Sequence, residues 1–310
     1  MLKYVLKRIL MIIPVVIAVS LIVFFIMDFV PTDAAVTALG DGASDEQLEE
    51  YREAHGLNDP LLVRYVRYMA GVLRRDLGTS YANNMPVWDL FFKKFPTTLM
   101  LAASSVLVTV ILSLPLGIIA AVKENTLVDT AASTLSFVGL AMPNFWLGLL
   151  LIILFSVKLG WLPSTGAASW KSFILPAFTC GTGNMAALTR TTRSAMLDVL
   201  KQDYLRTARS KGVSERRIIM KHALKNAQIP IVTMIGIQVS TLIGGAVLTE
   251  RVFALPGVGS FLVDSILKSD FEVVTGFIIM LAVFVSVVLL IVDIVYAFLD
   301  PRIKAQYSKS

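Results

Sequence analysis

The sequence predicts an all-α polytopic membrane protein, with six transmembrane helices and a small extracytoplasmic helical insertion after the first span. Only 16% of its 310 residues are charged, against about 25% in a typical soluble domain. Because a helix needs roughly 20 residues to cross a hydrocarbon core of about 30 Å, six stretches without Asp, Glu, Lys, Arg or His each predict one span. These stretches are Ile9–Met27, Phe95–Val122, Ala131–Val157, Ser172–Thr189, Ile229–Thr249 and Val273–Val292.

The predicted domain boundaries follow the same stretches. A first transmembrane helix occupies residues 1–30, and its apolar run is longer than the 7–15 residues of a cleaved signal peptide. An extracytoplasmic insertion occupies 31–94, and a tail occupies 300–310. The remaining transmembrane core covers 95–299, with spans at about 95–122, 131–157, 172–197, 229–250 and 273–299, and a polar loop at 198–228.

The distribution of basic residues predicts the orientation. The chain carries a net charge of +6, and residues 190–228 alone carry +7. Because cytoplasmic loops of membrane proteins are enriched in Lys and Arg, we expect 190–228, 123–130 and both termini on the cytoplasmic side. Residues 31–94, 158–171 and 251–272 are then expected outside. This placement explains the basic charge without a nucleic-acid partner.

Several kinds of chemistry are excluded by composition. Cys180 is the only cysteine, and His55 and His222 lie in different polar segments, so we expect no catalytic residues, no metal site and no bound cofactor. No G-x-x-x-x-G-K-[ST] motif is present to cradle the phosphates of ATP. A self-sufficient ion-coupled transporter usually places ionisable groups at mid-membrane. The six apolar stretches lack such groups, which leaves that class, like an intramembrane enzyme, only a remote alternative.

The extracytoplasmic insertion predicts two helices. Ser44 followed by Gln47 is a capping box, and Gly56 suits the end of that first helix. Asp59 as N-cap and Pro60 as first residue predict the start of the second. On the second helix, Leu62, Val66, Met69 and Leu73 share one face and Arg64, Arg67, Arg74 and Arg75 the opposite one. Such a helix lies along the outer membrane surface or packs on its own chain.

The polar loop predicts a docking element. Asp198–Lys211 is predicted helical, Gly212 suits a left-handed helix end, and Ser214 suits the N-cap of a second short helix. Contact with lipid headgroups alone needs charge but no such pattern. Apolar residues at Ile218, Ile219, Ala223 and Leu224 instead favour a helical surface for a soluble partner.

This loop resembles a known motif. Asp203–Arg217 (DYLRTARSKGVSERR), followed by His222–Pro230 (HALKNAQIP), resembles the EAA loop of ABC importer permeases, most closely in the oligopeptide/dipeptide/nickel branch. Arg206-Thr207-Ala208 stand where the general family has Glu-Ala-Ala, and Gly212 keeps the motif spacing. Other segments resemble the branch in the same order: Lys7–Pro14, Gly56–Pro60, Asp76–Ser80, Leu159–Pro163, Phe253–Gly259 and Asp300–Arg302.

The resemblance implies a permease subunit that imports peptides, or alternatively nickel chelates or another small solute. It implies four kinds of partner: a second homologous permease subunit, two cytoplasmic ATPase subunits that hold ATP and Mg, an extracytoplasmic substrate-binding protein, and membrane lipid. The location would be a bacterial or archaeal cytoplasmic membrane. The ATPase-coupling residues would be Tyr204, Arg206, Thr207, Ala208, Arg209, Gly212, Ser214, Glu215, Arg216, Arg217 and His222, and the binding-protein contacts would be Phe253, Leu255, Pro256 and Gly257.

Polar residues and prolines within the spans complete the prediction. Most uncharged polar residues there suit interhelical packing. Asn144, Gln238 and Thr241 are the candidates for lining a pathway, because buried amides need polar partners or water. Interior prolines remove a backbone hydrogen bond and predict kinks at Pro115, Pro143 and Pro176, whereas Pro230 is predicted to open the fifth span.

Overall fold

Helices dominate the computed structural model, which describes residues 2–30, 33–40 and 42–299. Within that part of the chain, the regular structure outside helices is an isolated antiparallel bridge between Thr79 and Pro86. The predicted tail at 300–310, with the motif Asp300–Arg302, lies outside the described residues.

The chain divides into two compact units. One contains residues 99–255 with 288–299, and the other contains 6–98 with 256–287. The α-helices in chain order are α1 Leu2–Asp28, α2 Ala34–Leu39, α3 Asp45–Ala54, α4 Leu61–Leu73, α5 Val87–Val122, α6 Leu127–Ala141, α7 Asn144–Leu151, α8 Ile174–Leu200, α9 Asp203–Ser210, α10 Glu215–Arg217, α11 Leu224–Gly245, α12 Val247–Val252, α13 Val258–Leu267 and α14 Phe271–Leu299. Two π-helical turns, Ile152–Lys158 and Ile218–Ala223, follow α7 and α10, and a 3₁₀ turn, Trp170–Phe173, precedes α8.

Four helices of the described chain are long and apolar enough to cross a membrane: Arg8–Asp28, Val87–Val122, Glu215–Gly244 and Phe271–Val295. A fifth candidate is the pair Leu127–Ala141 and Asn144–Lys158, which is bent by 95°. The predicted fourth span is α8, a helix of 27 residues, which carries Asn184, Arg190 and Arg193 and is not among these candidates. The count of six spans therefore stays a prediction.

The prolines behave differently from these predictions. Pro143 is the N-cap of α7 and lies at the 95° bend, so the third predicted span is a broken helix. Pro176 lies in the first turn of α8, where its missing N–H has no intrahelical partner to lose. Pro230 does not open its helix: it lies inside α11, which begins at Leu224.

Helix α8 is the central element of the unit formed by residues 99–255 and 288–299. The hydroxyl groups of Thr109 and Ser113 on α5 donate to the carbonyls of Gly181 (3.0 Å) and Met185 (3.2 Å) on α8. Helix α6 comes equally close, since a Cβ added to Gly139 would lie 2.6 Å from the carbonyl oxygen of Thr182. Small residues at these crossings allow the backbones to touch.

Gly139→Ala is expected to lower the stability of the protein by about 1–3 kcal/mol, the usual cost of overpacking. The new methyl group would press on backbone of α8, which cannot move aside as a flexible side chain does. Gly244→Ala is the matched control, because a Cβ there meets nothing within 4 Å and alanine favours the helix. Thermal unfolding of both variants in lipid nanodiscs measures the difference, and equal melting temperatures would contradict the close crossing.

The insertion confirms the predicted first helix. Ser44 and Gln47 form both hydrogen bonds of the capping box at the start of α3. Gly56 adopts a φ of +60°, and Leu57 N–H donates to the Arg52 carbonyl at 2.8 Å, which closes the helix. The predicted start of the second helix is wrong by one residue. Pro60 is the N-cap of α4, because the Asp59 carboxylate is engaged by Arg67.

A second capping interaction connects α2 with α3. Asp33 accepts a hydrogen bond from Ala35 N–H at 2.9 Å and a second from Arg52 Nε at 2.9 Å. The hydrogen bond from Arg52 lowers the pKa of the Asp33 carboxyl below its ordinary 3.8. Because the folded-state pKa is depressed, the stabilisation is complete above the ordinary pKa and is lost as pH falls through the folded pKa.

We therefore expect the junction between α2 and α3 to resist proteolysis at pH 5 and to become cleavable only as pH falls below 3.8 toward the depressed pKa of Asp33, where the carboxyl group protonates. Asp33→Asn keeps a capping oxygen but removes the ion pair, so its junction should be cleaved at pH 5 as well. Mass spectrometry of the fragments locates the cuts. Equal protection of both forms at pH 5 would show that the pair with Arg52 contributes nothing.

Candidate functional site

The short helix α9 is fixed by one buried leucine. Leu205 is 0% exposed and packs in a cluster that includes Met196, Ile218 and Ala223. Ala208, one turn later, lies against the same cluster. The opposite side of α9 presents Arg206, Arg209 and Ser210 to solvent, among other polar residues. An eight-residue helix is marginal by itself, so the packing of Leu205 holds it in place.

Polar contacts tie both ends of α9 to the segment that follows. At the N-terminal end, Asn226 Nδ2 donates to the Tyr204 hydroxyl at 2.9 Å and to the His222 carbonyl at 2.7 Å. At the C-terminal end, Arg209 Nε donates to Glu215 Oε1 at 2.7 Å. The Arg209–Glu215 pair is solvent-exposed and is worth little by itself. Together with Leu205, these contacts attach α9 to the segment from Glu215 to Asn226.

The turn after α9 depends on Gly212, whose φ of +75° is left-handed as predicted. This conformation lets Val213 N–H reach the Ala208 carbonyl at 3.2 Å and Gly212 N–H reach the Arg209 carbonyl at 2.9 Å. Both bonds satisfy carbonyls left open at the helix end. A Cβ at Gly212 would meet nothing within 4 Å, so the constraint there is one of backbone conformation.

Two expectations for this loop need correction, whereas the predicted N-cap is confirmed. The predicted helix Asp198–Lys211 is interrupted at Lys201 and Gln202, where α8 ends and α9 begins. Ser214 is the N-cap of α10, although its side chain makes no capping hydrogen bond. The second helix is not a separate short element, because Glu215–Gly244 forms one continuous apolar helical run.

Apart from Arg209 and Gly212, described above, the predicted coupling residues fall into two groups. Arg206, Thr207, Arg216 and Arg217 are solvent-exposed, as are Ser214 and Glu215. Tyr204, Ala208 and His222 instead face the segment that holds α9 in place. Sequence reasoning missed Leu205 and Asn226, which form two of the three attachments. The signal for Leu205 was present, since it is a lone large aliphatic residue in a polar octapeptide, whereas Asn226 carried none.

The structure places the candidate pathway residues in two different environments. Asn144 and Thr241 line one cavity of about 360 Å³, together with Asn184. Gln238 does not line it: the side chain is 4% exposed, and its Nε2 donates to the Asn184 carbonyl at 3.0 Å. Asn184, which was not among the predicted candidates, therefore joins the cavity while Gln238 supports its wall.

The predicted binding-protein contacts are mostly inaccessible. Phe253 and Leu255 are each 1% exposed and pack with Leu101 and Phe173. The carbonyl of Phe253 accepts a hydrogen bond from Gly166 N–H at 2.9 Å, so this loop folds inward. Gly257 is also buried, and only Pro256 of the predicted set stays exposed. The two large side chains contribute to the core of the chain, and their contact with a binding protein stays a prediction.

The chain is similar in sequence to a known protein family. A sequence model described as "Binding-protein-dependent transport system inner membrane component" matches residues 113–305. The chain belongs to this family. The model of the corresponding N-terminal region matches residues 1–102. The two matches together include α9, the turn at Gly212 and the cavity lined by Asn144.

Relatives of known type align along almost the whole chain. The oligopeptide transport system permease protein AppB of Bacillus subtilis is 40% identical over 315 residues, covering 98% of this chain and 100% of the relative. The glutathione transport system permease protein GsiC of Escherichia coli is 41% identical over 304 residues, covering 98% and 99%. The chain is thus an ABC importer permease and a multi-pass membrane protein. It is non-catalytic, because the ATPase of such importers is a separate subunit.

A solved structure supports the fold. A chain of the MetNI methionine ABC transporter, in an inward-facing crystal form, aligns with a TM-score of 0.55 and 18% identity. The alignment covers 68% of this chain and 96% of the other. The all-α membrane architecture predicted from the sequence is confirmed at this level, whereas the count of six spans stays a prediction.

Proposed function

We propose that this permease imports peptides, forming one half of a translocation pathway with a second homologous subunit. An extracytoplasmic binding protein would deliver the peptide, and two ATPase subunits holding ATP and Mg would dock on α9 and the turn at Gly212. The observation that carries the proposal is the triple attachment of α9 through Tyr204, Leu205 and Arg209. Such an attachment suits a contact that must transmit force.

The mechanism follows from the continuity of the helix after α10. The run from Glu215 to Thr241 would carry a displacement over about 40 Å at 1.5 Å per residue. Thr241 lies on this run and faces the cavity with Asn144 and Asn184. A push on α9 would therefore reposition one wall of that cavity relative to α8. Side-chain amides there would offer hydrogen bonds to a peptide backbone without regard to its side chains.

Reconstituted uptake tests the substrate and the energy source together. The complete transporter in proteoliposomes, supplied with its binding protein, should accumulate a labelled short peptide only when the ATPase subunits hydrolyse ATP. A nickel chelate and glutathione serve as parallel substrates, and transport of either one in place of the peptide would assign the chain to the alternative. Uptake driven by an ion gradient without ATPase subunits would overturn the proposal.

A charge reversal tests the docking surface. Arg206 is exposed on α9 and, among the described residues, makes no ion pair, so Arg206→Glu changes the surface charge without breaking the loop. We expect weaker retention of the ATPase subunits during purification, with a greater loss at low salt than at high salt, because surface charges are screened. Lys123→Glu, an exposed reversal in the loop before α6, is the matched control. Unchanged assembly of the Arg206 variant would remove this residue from the interface.

A further inference from the structure

One side of α4 is apolar and exposed. Leu62, Val66 and Leu73 are 64%, 65% and 86% exposed, and Val63 and Ala70 are exposed beside them. At about 100° per residue, these five side chains fall within roughly 100° of the helix circumference. They form one continuous strip, which we call the α4 strip. Single exposed apolar residues need no explanation, but a continuous strip marks a contact surface.

The other sides of α4 contact α1 or carry charged side chains. Tyr65 and Tyr68 pack on Phe24 of α1, with ring centroids 5.6 and 5.8 Å apart. Arg64 donates to Asp28 at 2.7 Å, and Arg67 pairs with Asp59. The helix therefore has a side facing protein, a charged side and the α4 strip. Of the two predicted placements, packing on its own chain is confirmed for the side that carries Tyr65 and Tyr68.

The contacts with α1 set the depth of α4. The Arg64–Asp28 pair lies at the end of the apolar run Arg8–Asp28. The Tyr65 hydroxyl reaches Ser20 Oγ at 2.9 Å, and Ser20 precedes Asp28 by eight residues, or about 12 Å along the helix. Side chains of α4 thus reach well inside the hydrocarbon thickness that α1 crosses. Around the helix, the α4 strip adjoins the side that carries Tyr65.

We propose that α4 is an interfacial helix whose strip contacts the lipid acyl chains of the leaflet nearest Asp28. The occupant is the bilayer, because Arg64 and Tyr65 hold α4 beside the apolar run of α1, of which only 6% is buried within the chain. The arrangement has the pattern of an interfacial helix, with an apolar face toward the acyl chains and arginines at the level of the headgroups. It anchors the insertion 31–94 to the membrane independently of peptide transport.

Spin labelling tests this placement directly. Single cysteines at Leu62, Val66 and Leu73 are introduced in a Cys180→Ser background and labelled in the complete transporter in lipid nanodiscs. Cys180 itself is buried. Ile13→Cys on the exposed side of α1 is the lipid control, and Glu50→Cys on α3 is the water control. We expect the ratio of oxygen to nickel-chelate accessibility at the three sites to exceed that of Glu50→Cys several-fold and to approach that of Ile13→Cys.

Two results would overturn the proposal. High accessibility to the nickel chelate would place the strip in water, and low accessibility to both reagents would show that a protein subunit covers it. Val66→Trp supplies an independent reading, because lipids brominated near the headgroup should quench its fluorescence more than lipids brominated at the chain end. Absence of quenching by any brominated lipid would also contradict the proposal, whether or not the labelled variants assemble normally.

Discussion

Leu205→Ala is expected to reduce peptide uptake by at least about tenfold while ATP hydrolysis continues. Truncating a fully buried leucine costs about 2–5 kcal/mol, and 1.4 kcal/mol already changes an equilibrium tenfold. The other two attachments of α9, through Tyr204 and Arg209, are solvent-exposed hydrogen bonds and cannot replace this contribution. Helix α9 would separate from the cluster around Met196 and Ile218, so movement of a docked ATPase would no longer reach α11.

The informative measurement is the ratio of peptide taken up to ATP hydrolysed in proteoliposomes. Leu205→Met conserves volume and should cost less than about 1.5 kcal/mol, so it should retain most of the uptake. Leu127→Ala removes the same atoms from a leucine that is 88% exposed and should leave the ratio unchanged. If Leu205→Ala couples as well as the unsubstituted protein, then packing of this leucine does not hold α9 in its working position.

Local signals explain what the sequence predicted correctly. The capping box of Ser44 with Gln47 and the left-handed positions of Gly56 and Gly212 each involve residues fewer than seven positions apart. Their geometry depends on neighbours in the chain, so composition and spacing are sufficient to find them. The apolar stretches are local signals too, because a membrane-spanning helix is recognised from the length and hydropathy of one continuous segment.

Tertiary contacts explain what the sequence could not supply. The resemblance predicts that Phe253 and Leu255 contact another protein, yet the cluster with Leu101 and Phe173 buries them, and spacing cannot reveal a contact between residues so far apart in the chain. Similarly, Gln238 and Asn184 are both amides within apolar runs. Only the hydrogen bond from Gln238 Nε2 to the Asn184 carbonyl distinguishes the residue that supports the cavity wall from the one that lines the cavity.

Breaks in the helices are only partly predictable from the sequence. Pro143 was a visible signal, but a proline in a span is compatible with a mild kink or with a full break, and the 95° angle depends on how α7 packs. No Gly or Pro follows Leu200 to predict the end of α8. The structure explains this helix end, because the packing of Leu205 directs α9 toward the cluster around Met196 and Ile218.

Gly212→Val is expected to impair coupling by a purely conformational route. The glycine has a φ of +75°, and a Cβ added to it would meet no atom within 4 Å, so the Cβ of a valine meets no clash. The cost is that of placing a β-branched residue in the left-handed region, about 1–2 kcal/mol. The turn would relax toward negative φ, which breaks the hydrogen bond from Val213 N–H to the Ala208 carbonyl. Arg209 would then be displaced from Glu215.

Gly212→Asn is the decisive control, because asparagine adopts the left-handed conformation more readily than other residues with a side chain. We expect the ratio of uptake to hydrolysis to fall in the order glycine, asparagine, valine, with the asparagine variant close to the unsubstituted protein. A side chain at this exposed position that disturbed the ATPase by its bulk would impair both variants alike. Separation of valine from asparagine therefore attributes the effect to backbone conformation, and equal behaviour of the two would assign Gly212 to the docking surface instead of the turn.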